Sequence, residues 1–346
     1  MKNLSAVILL LVLSPGPLRA AAGSTAMPFL KLDQGARAAA MAGAYCAAGD
    51  DAWAVFYNPA GTALSARKEI VLGHNEWLEG LRNESAAYIH PLTPTVTLFG
   101  GVNALLSGGM DKYDLSGQKT GSFNAQEGAL GFGVSGALGG GYYGGAAVKG
   151  LYQKAAGDGA SAWAGDAGLL KVFGDWRVGL SAANLGGALK LGGTSFSLPL
   201  MLRAGASWNF LALYRVSGEV IKAGESAVSA AVGAEAEILS GPAESFFARA
   251  GFRTGRSRYA GSGLSAGLGL RNRDLRVDYA FTPYGELGDS HRLTISLRFG
   301  EERPAPFRRA GSSLPQRRVI KEAPAKQRGG KTKSKKGEKN EVYFMW

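Results

Sequence analysis

The chain has 346 residues and a formal net charge of +12, from 39 lysines and arginines and 27 aspartates and glutamates. Glycine accounts for 52 of the 346 residues, a share about twice the ~7% that is usual in soluble domains. Downstream of the N-terminus, no apolar run reaches the ~18–20 residues that a membrane-spanning helix needs, which excludes a helical membrane protein there. The single cysteine excludes a disulfide framework and a cysteine-based zinc site.

Residues 1–23 have the pattern of a cleaved export signal. Lys2 supplies the positive charge, Ala6 to Leu13 form a short apolar core, and Ala20-Ala21-Ala22 offers an A-x-A cleavage site. The apolar core is too short to span a bilayer. We therefore predict a signal peptide over residues 1–23 rather than the alternative, a buried helix of a cytosolic protein.

Polar and apolar side chains alternate with period two from residue 68 to residue 299. In Leu275 to Phe281, for example, Leu, Val, Tyr and Phe share one face, whereas Arg, Asp and Ala share the other. Such alternation is typical of β-strands. Most of the runs are near the length of a tilted transmembrane strand. We count fourteen, at about 68–77, 83–92, 94–105, 124–137, 140–154, 160–172, 175–184, 199–209, 212–222, 227–238, 244–254, 261–271, 273–282 and 289–299.

The connections between these runs alternate in length. Tight turns, as at Leu92-Thr93-Pro94 and Gly174, alternate with longer segments such as 106–123 and 185–198. Bacterial outer-membrane barrels have this asymmetry. We predict an all-β fold, a transmembrane antiparallel β-barrel of about 14 strands over residues 68–299. The alternative is an exported soluble sandwich or propeller, which also alternates, although the sequence has no propeller repeat.

Residues 24–67 break this pattern and are rich in small residues. Asp50 and Asp51 are predicted to cap a short helix, and Asn58-Pro59 to mark a turn. The residues by themselves leave two interpretations open, a small-residue plug or a linker.

The string GARAAAMAGAYCAAGDDAWAVFYNPAG, residues 35–61, resembles the N-terminal motif of the PorV/PorQ family, within the FadL-type outer-membrane transport proteins. The resemblance covers about residues 33–299. Further similar segments are His74 to Trp77, Asp166 to Gly168, Asn184 to Gly186 and Asp278 to Phe299.

The resemblance implies that residues 24–67 fold into the lumen of the barrel as a hatch. It implies a hatch motif formed by Asp50, Asp51, Asn58, Pro59, Ala60 and Gly61. It also implies transport or protein export across the outer membrane, with outer-membrane lipid and exported proteins or secretion machinery as partners. In the PorV branch this role belongs to type IX secretion.

Two other functions stay open. FadL-like members also take up long-chain fatty acids or other hydrophobic compounds. This chain has no long external loops to build a hydrophobic capture site, and a PorV-like barrel that acts in transport or protein export is therefore our first hypothesis. An exported structural β-protein without a transport role is the alternative of another class.

Charged residues on the face opposite the bulky apolar ones are predicted to point into the lumen. They form either a ladder of paired charges or a polar path around the hatch. The candidates for the path are Arg203, Arg249, Asp274, Arg276 and Asp278.

Catalysis is not expected. The three histidines, His74, His90 and His291, have no Ser–His arrangement around them, and no G-x-S-x-G elbow accompanies a plausible nucleophile. We predict a non-enzyme with no catalytic residues, no metal and no cofactor.

Most of the positive charge is in residues 300–346, which hold 13 lysines and arginines and five glutamates. With four prolines and little apolar periodicity, this tail is predicted to be disordered. An even number of strands returns it to the periplasm, where it meets no chromosomal DNA, so a nucleic-acid partner is excluded. The predicted contacts are anionic envelope polymers, lipid headgroups or an acidic face of a secretion partner.

Overall fold

The computed structural model describes residues 25–155, 158–191, 193–211, 213–241, 243–255 and 260–303. The predicted signal peptide and the predicted tail beyond residue 303 lie outside the described residues. The strands are, in chain order, β1 Lys68–Glu76, β2 Arg82–Pro91, β3 Val96–Leu106, β4 Met110–Tyr113, β5 Lys119–Phe123, β6 Ala125–Gly139, β7 Tyr142–Ala155, β8 Asp158–Phe173, β9 Trp176–Gly186, β10 Ala188–Leu191, β11 Thr194–Ser197, β12 Met201–Phe210, β13 Tyr214–Ala223, β14 Ser229–Ser240, β15 Glu244–Arg253, β16 Leu264–Asn272, β17 Leu275–Pro283 and β18 Asp289–Phe299.

Within the described residues, fourteen of these strands form one closed antiparallel barrel. The first strand pairs with the last, with Lys68 opposite Phe299, and β1 also pairs with β2. Around the circumference the strands follow their order in the chain. The predicted all-β, 14-stranded barrel is therefore confirmed, and the sandwich and propeller architectures are excluded.

The two ends of the barrel differ. At the end that we call the turn end, the chain enters β1 and leaves β18, and short turns such as Phe173–Trp176 join neighbouring strands. The opposite end, the loop end, carries the long connections. Two of them contain small hairpins, β4–β5 and β10–β11, that pair only within themselves. Both were expected to be loops, because strands of four or five residues are too short to show an alternating pattern.

The alternation sorts side chains between the two faces of the wall. Leu72 and Leu297 are exposed on the outer face, whereas Arg249 and Asp278 are buried on the inner face. Such a wall is stable where apolar surroundings cover the outer face and polar partners fill the inside. Among the helices that the structure describes, none has both the length and the apolar character required to cross a membrane.

Residues 25–67 fold inside the barrel, and we call them the hatch. They contain a short α-helix, α1 Ala36–Ala40, and 3₁₀ turns at Pro28–Lys31, Ala52–Phe56 and Pro59–Leu64. Two further 3₁₀ turns, Leu78–Gly80 and Gly285–Leu287, lie at the loop end. The hatch is almost entirely buried, and its large side chains, Trp53, Tyr45 and Tyr57, form a core with wall residues of β1, β2 and β3.

Candidate functional site

Glycines in the wall let the hatch lie directly against the strands. A Cβ atom on Gly233 would lie 2.6 Å from the Cβ of Met41, and one on Gly179 would lie 2.6 Å from the carbonyl oxygen of Cys46. Glycine is therefore required where the backbone of the hatch and the wall approach each other. The high glycine content of the sequence is explained in part by this close packing.

The side chain of Arg37 is the centre of the contact between hatch and wall. Its Nε and Nη2 donate to the two carboxylate oxygens of Glu235 on β14, at 2.8 and 2.6 Å. Its Nη1 donates to Asp50 at 2.8 Å and to Asp51 at 2.9 Å. A bidentate pair of a guanidinium and a carboxylate is among the strongest hydrogen-bonded pairs in proteins. Arg37 thus connects two parts of the hatch to each other and to the wall.

Asp50 extends this network along the wall to the neighbouring strand β13 and on to β9. Its Oδ2 accepts from Arg215 at 2.8 Å and from Arg177 at 3.0 Å. Burial would raise the pKa of the Asp50 carboxyl, but the positive charges of Arg215, Arg37 and Arg177 outweigh this effect and hold that pKa well below its usual range. Asp50 is therefore ionised at neutral pH and bound to three arginines.

The other residues of the predicted hatch motif shape its backbone. Asp51 caps the turn Ala52–Phe56 by accepting from the N–H of Trp53, and Asn58 caps Pro59–Leu64 by accepting from the N–H of Ala60. Ala60 is fully buried, and Gly61 has no room for a Cβ because the carbonyl oxygen of Gly49 would lie 2.5 Å from it. The motif thus closes a compact double turn against the wall.

A second ionic contact holds the middle of the hatch. Glu219 on β13 accepts from the backbone N–H groups of Tyr45 and Cys46, at 2.8 and 2.7 Å, and from Arg203 at 2.7 Å. Cys46, the single cysteine of the chain, is buried. Burial, and then the charge of Glu219, raise the pKa of its thiol to about 12. The thiol is therefore unreactive while the hatch is seated.

Four of the five residues that were predicted to form a polar path do lie in the lumen. Arg249 contacts Glu235 and Asp278, Arg276 contacts Asp278, and Arg203 contacts Glu219. They form ion pairs instead of an open row of charges.

Asp274, the fifth residue, needs a correction. It lies in the turn before β17, where its half-exposed side chain pairs with Arg67. The reason is that β17 begins at Leu275, so the alternation that places Arg276 and Asp278 in the lumen does not extend back to Asp274.

A narrow cavity lies between the hatch and strands β3, β6, β7, β8, β9 and β12. It has about 740 Å³ of unfilled space, counted with the open solvent at its mouth. Its apolar lining includes Leu30, Leu32, Val55, Phe56, Phe99 and Met201. Its charged lining residues are paired, Lys149 with Asp166 at 2.7 Å and Arg203 with Glu219 at 2.7 Å.

The wall is irregular where the cavity reaches it. The register of β8 and β9 shifts by one residue next to Asp166, and Asn184 has a positive φ of 63°. The carboxylate of Asp166 accepts from the N–H of Asn184 at 2.7 Å. A β-bulge of this kind leaves an unpaired backbone group, and Asp166 supplies its partner.

The loop end carries an apolar cluster above the cavity. Leu189 and Leu198, from the β10–β11 region, pack with Met27 and Phe29 at the start of the hatch, and Leu151 and Ala164 complete the cluster from the wall. The backbone of Ala26 donates to Ser197 at 3.0 Å. This cluster could not be predicted from the alternation of residues, because β10 and β11 have only four residues each.

The part of the chain that the structure describes has no group of three or more His, Cys, Asp or Glu side chains that could hold a metal ion. His291 lies on the outer face, with its Nδ1 2.8 Å from the hydroxyl of Tyr279. His74 also lies outside and contacts Glu84.

Sequence reasoning missed Arg37 and Glu235, the pair at the centre of the site. One signal was available, since Arg37 is the only charged residue in the small-residue stretch from Gly35 to Gly49. Glu235 gave none beyond its alternation with apolar neighbours on β14. Arg177 and Asp166 were missed for the same reason.

No protein-family model matches this sequence, and no curated protein matches it. Solved structures do. The toluene transporter TbuX of Ralstonia pickettii matches with a TM-score of 0.55 and 16% identity, over 77% of this chain and 98% of that one. The toluene transporter TodX of P. putida matches with a TM-score of 0.55 and 12% identity, over 78% of this chain and 99% of that one. A FadL homologue of Pseudomonas aeruginosa gives a TM-score of 0.54 and 11% identity, over 77% and 98%.

The chain shares the fold of these three proteins. Each similarity spans nearly the whole of the other chain. At these identities the similarity shows a shared fold alone. None of the three proteins is described as a member of the PorV/PorQ family, which the sequence resembles.

Proposed function

We propose that this protein is an outer-membrane channel that takes up small, uncharged hydrophobic compounds past a lumenal hatch. The observation that carries the proposal is the apolar cavity between the hatch and the wall, in a barrel whose fold is that of toluene transporters. Ligand sites are typically apolar clefts with a few placed polar groups, and this cavity has that composition. The protein acts by transport and not as an enzyme.

The charges around the cavity favour a neutral ligand. Lys149 and Arg203 are both paired with carboxylates. A carboxylate ligand would have to displace Asp166 or Glu219 from a buried pair, which leaves another buried charge without a partner and is costly. Uptake of an uncharged compound requires no such exchange, so a fatty acid fits this cavity less well.

The outer face of the wall supports an integral position in the outer membrane. Leu72, Leu293, Ile295 and Leu297 are exposed there. Near the turn end, Trp176 stacks on Trp208 at 5.4 Å between ring centres, as expected for an aromatic girdle at a membrane interface. We place the turn end and the C-terminal tail on the periplasmic side, since short turns are periplasmic in bacterial barrels.

Uptake replaces the first hypothesis drawn from the sequence, PorV-like export. The comparisons support uptake because the neighbours named as transporters carry toluene, and none of the neighbours reported above is named as a secretion protein. The loop-end cluster of Met27, Phe29 and Leu189 is buried, so the hydrophobic site of this proposal is the cavity itself.

The test is uptake of radiolabelled toluene into vesicles that contain the full chain. Ala147 on β7 lines the cavity. Its neighbour Ala146, which lies opposite Ala167 on β8, is on the other face of the wall. Ala147→Phe fills the cavity and is expected to reduce uptake about tenfold, whereas Ala146→Phe, the matched control, leaves it unchanged. Heat-modifiable gel migration verifies that both variants form barrels.

The proposal fails if wild-type vesicles take up toluene no faster than empty ones, or if both variants transport equally. Octanoate serves as the charged comparison and is expected to enter no faster than into empty vesicles. Isolation of exported proteins with the purified wild-type chain, without toluene uptake, would restore the export hypothesis.

A further inference from the structure

The side chain of Asn103 on β3 brings an amide group to the cavity between the hatch and the wall. Asn103 is 4% exposed and lines this cavity. Its Oδ1 accepts from the Nδ2 of Asn83 at 2.5 Å, and the same Nδ2 donates to the backbone oxygen of Ala104 at 3.1 Å. The bond to Ala104 fixes which end of the Asn83 amide is the donor. Asn103 therefore presents its oxygen to Asn83, and its own Nδ2 is left for the cavity.

Asn103 is an exception among the donors of the cavity. Six side chains that line the described cavity carry hydrogen-bond donors, and five of them donate to acceptors of the described chain. These five pairs are Gln34 with Leu32, Tyr57 with Gln34, Lys149 with Asp166, Asn184 with Pro199 and Arg203 with Glu219. The Nδ2 of Asn103 has no such acceptor among the described residues. Because buried donors in proteins are normally paired, this amide points to an acceptor on a ligand.

Space for such a ligand lies beside the amide. Ala129 on β6 is opposite Asn103, and Gly131 on β6 and Ala147 on β7 continue the lining of the cavity. Neighbouring strands are about 4.8 Å apart, so these small residues leave room over two strands of the wall. Phe99 adds an aromatic ring to the same lining. The cavity therefore offers one donor at the edge of an apolar surface.

The amide of Asn103 discriminates between uncharged ligands. A hydrocarbon that fills the cavity excludes water from the Nδ2 and supplies no acceptor, and a buried donor without a partner is costly. A ligand of the same shape that carries a carbonyl oxygen at this point accepts from the amide and avoids that cost. Sites built around such a hydrogen bond favour the ligand that can form it.

We propose that the cavity takes small, uncharged hydrophobic compounds with one carbonyl oxygen, and that Asn103 determines this specificity. The oxygen accepts from the Nδ2 of Asn103, and the hydrocarbon part lies along Ala129 and Phe99. Lys149 does not supply this bond, because its Nζ already contacts both carboxylate oxygens of Asp166, at 2.7 and 2.8 Å. The inference rests on the proposed uptake function and names its substrate class, a neutral ketone or aldehyde in preference to a hydrocarbon of the same shape.

The test compares cyclohexanone, labelled with ¹³C at the carbonyl carbon, with methylenecyclohexane, in which a CH₂ group replaces the oxygen. Binding of each compound to the full chain is measured by NMR in one detergent, so partition into micelles is the same for every variant. Asn103→Leu removes the donor at similar side-chain volume, and Asn83 keeps Ala104 as its acceptor. The variant is expected to bind cyclohexanone about tenfold more weakly than wild type, as expected for one lost hydrogen bond. Its affinity for methylenecyclohexane is expected to be unchanged.

The carbonyl resonance gives a readout that a merely structural role would not move. A hydrogen bond polarises the carbonyl group, so bound cyclohexanone is expected to resonate downfield in wild type and to lose this shift in Asn103→Leu. Asn272→Leu is the matched control, because Asn272 is exposed on β16 and donates to Glu244. It is expected to bind both compounds like wild type and to keep the downfield shift.

Three results overturn the proposal: no saturable binding of cyclohexanone to wild type, unchanged binding of cyclohexanone to Asn103→Leu, or equal weakening for both compounds. If Asn103→Leu fails to form a barrel by heat-modifiable migration, Asn103→Ala replaces it with the same expected loss for cyclohexanone. The two proposals of function and specificity fail separately. Binding of the ketone that depends on Asn103, without toluene uptake, removes transport alone, whereas toluene uptake without an effect of Asn103 on ketone binding removes this specificity alone.

Discussion

Arg37 in the hatch and Glu235 in the wall form two parallel hydrogen bonds, Nε to Oε2 at 2.8 Å and Nη2 to Oε1 at 2.6 Å. The two residues are 198 positions apart in the chain, and both are almost completely buried. The same guanidinium also holds Asp50 and Asp51 of the hatch. This one side chain therefore contacts three carboxylates, two of the hatch and one of the wall, and we expect it to hold the hatch in place.

Removal of Arg37 is expected to release the hatch. Arg37→Ala leaves Glu235 with a weaker set of partners and Asp51 with no cation in contact, and loss of one member of a buried ion pair costs about 3–5 kcal/mol. Cys46 is buried in the seated hatch, so its rate of labelling by a maleimide measures release. We expect labelling to rise by about two orders of magnitude. Arg82→Ala, which removes an exposed pair with Glu76, is the control and should label like wild type.

A methyl group on a wall glycine is expected to displace the hatch without a change in charge. A Cβ on Gly251 would meet the backbone between Met41 and Ala42, whereas one on Gly218 would have open space around it. Overpacking of a tight interface typically costs about 1–3 kcal/mol. Gly251→Ala should therefore increase maleimide labelling of Cys46 at least fivefold, and Gly218→Ala should not. Equal labelling of the two variants would show that the hatch does not need the close approach.

The hatch should remain folded in the lumen in mild acid. The pKa of Asp50 is held well below its usual range in the folded protein, so its contribution to stability is complete above its unfolded pKa of about 3.9 and is lost as the pH falls through the lower, folded pKa. We expect hydrogen exchange of hatch peptides, corrected for intrinsic rates, to be constant from pH 8 to pH 5 and to rise below about pH 4.

Asp50→Asn tests the origin of that dependence. The variant should exchange faster at pH 7, because Arg177 and Arg215 lose their carboxylate, and its acid dependence should be weaker. Asp114→Asn, at an exposed position between β4 and β5, is the control. A wild-type hatch that loosens between pH 7 and pH 5 would contradict this account.

The loop-end cluster should stabilise the β10–β11 hairpin. Leu189 is fully buried against the start of the hatch, and Leu→Ala at such a site costs about 2–5 kcal/mol. We expect Leu189→Ala to loosen the β10–β11 hairpin and to raise the rate of proteolysis there at least tenfold. Lys190→Ala, next to it on an exposed position, should behave like wild type. Equal proteolysis of the two variants would show that Leu189 does not stabilise the hairpin.

The barrel could be predicted from the sequence because its pattern is local. Alternation in Leu275 to Phe281 and in His291 to Phe299 assigns each side chain to a face within one strand, and the structure places Tyr279 outside and Asp278 inside accordingly. The small residues from Gly35 to Gly49 by themselves left a plug or a linker open, and only the family resemblance implied a hatch. Where a strand begins was less certain, and for this reason Asp274 was assigned to the lumen although it lies in a turn.

The sequence by itself determined the number of barrel strands and the sorting of side chains between the two faces, because period-two alternation and turn residues act over a few neighbouring positions. Only the tertiary structure decided which charges meet. Arg37 finds Glu235 and Asp50 finds Arg215 because closure of the barrel around the hatch brings distant residues together. It also placed the amide of Asn103 at the cavity. A local pattern specifies a face, whereas a pairing across a lumen depends on the register and curvature of the whole barrel.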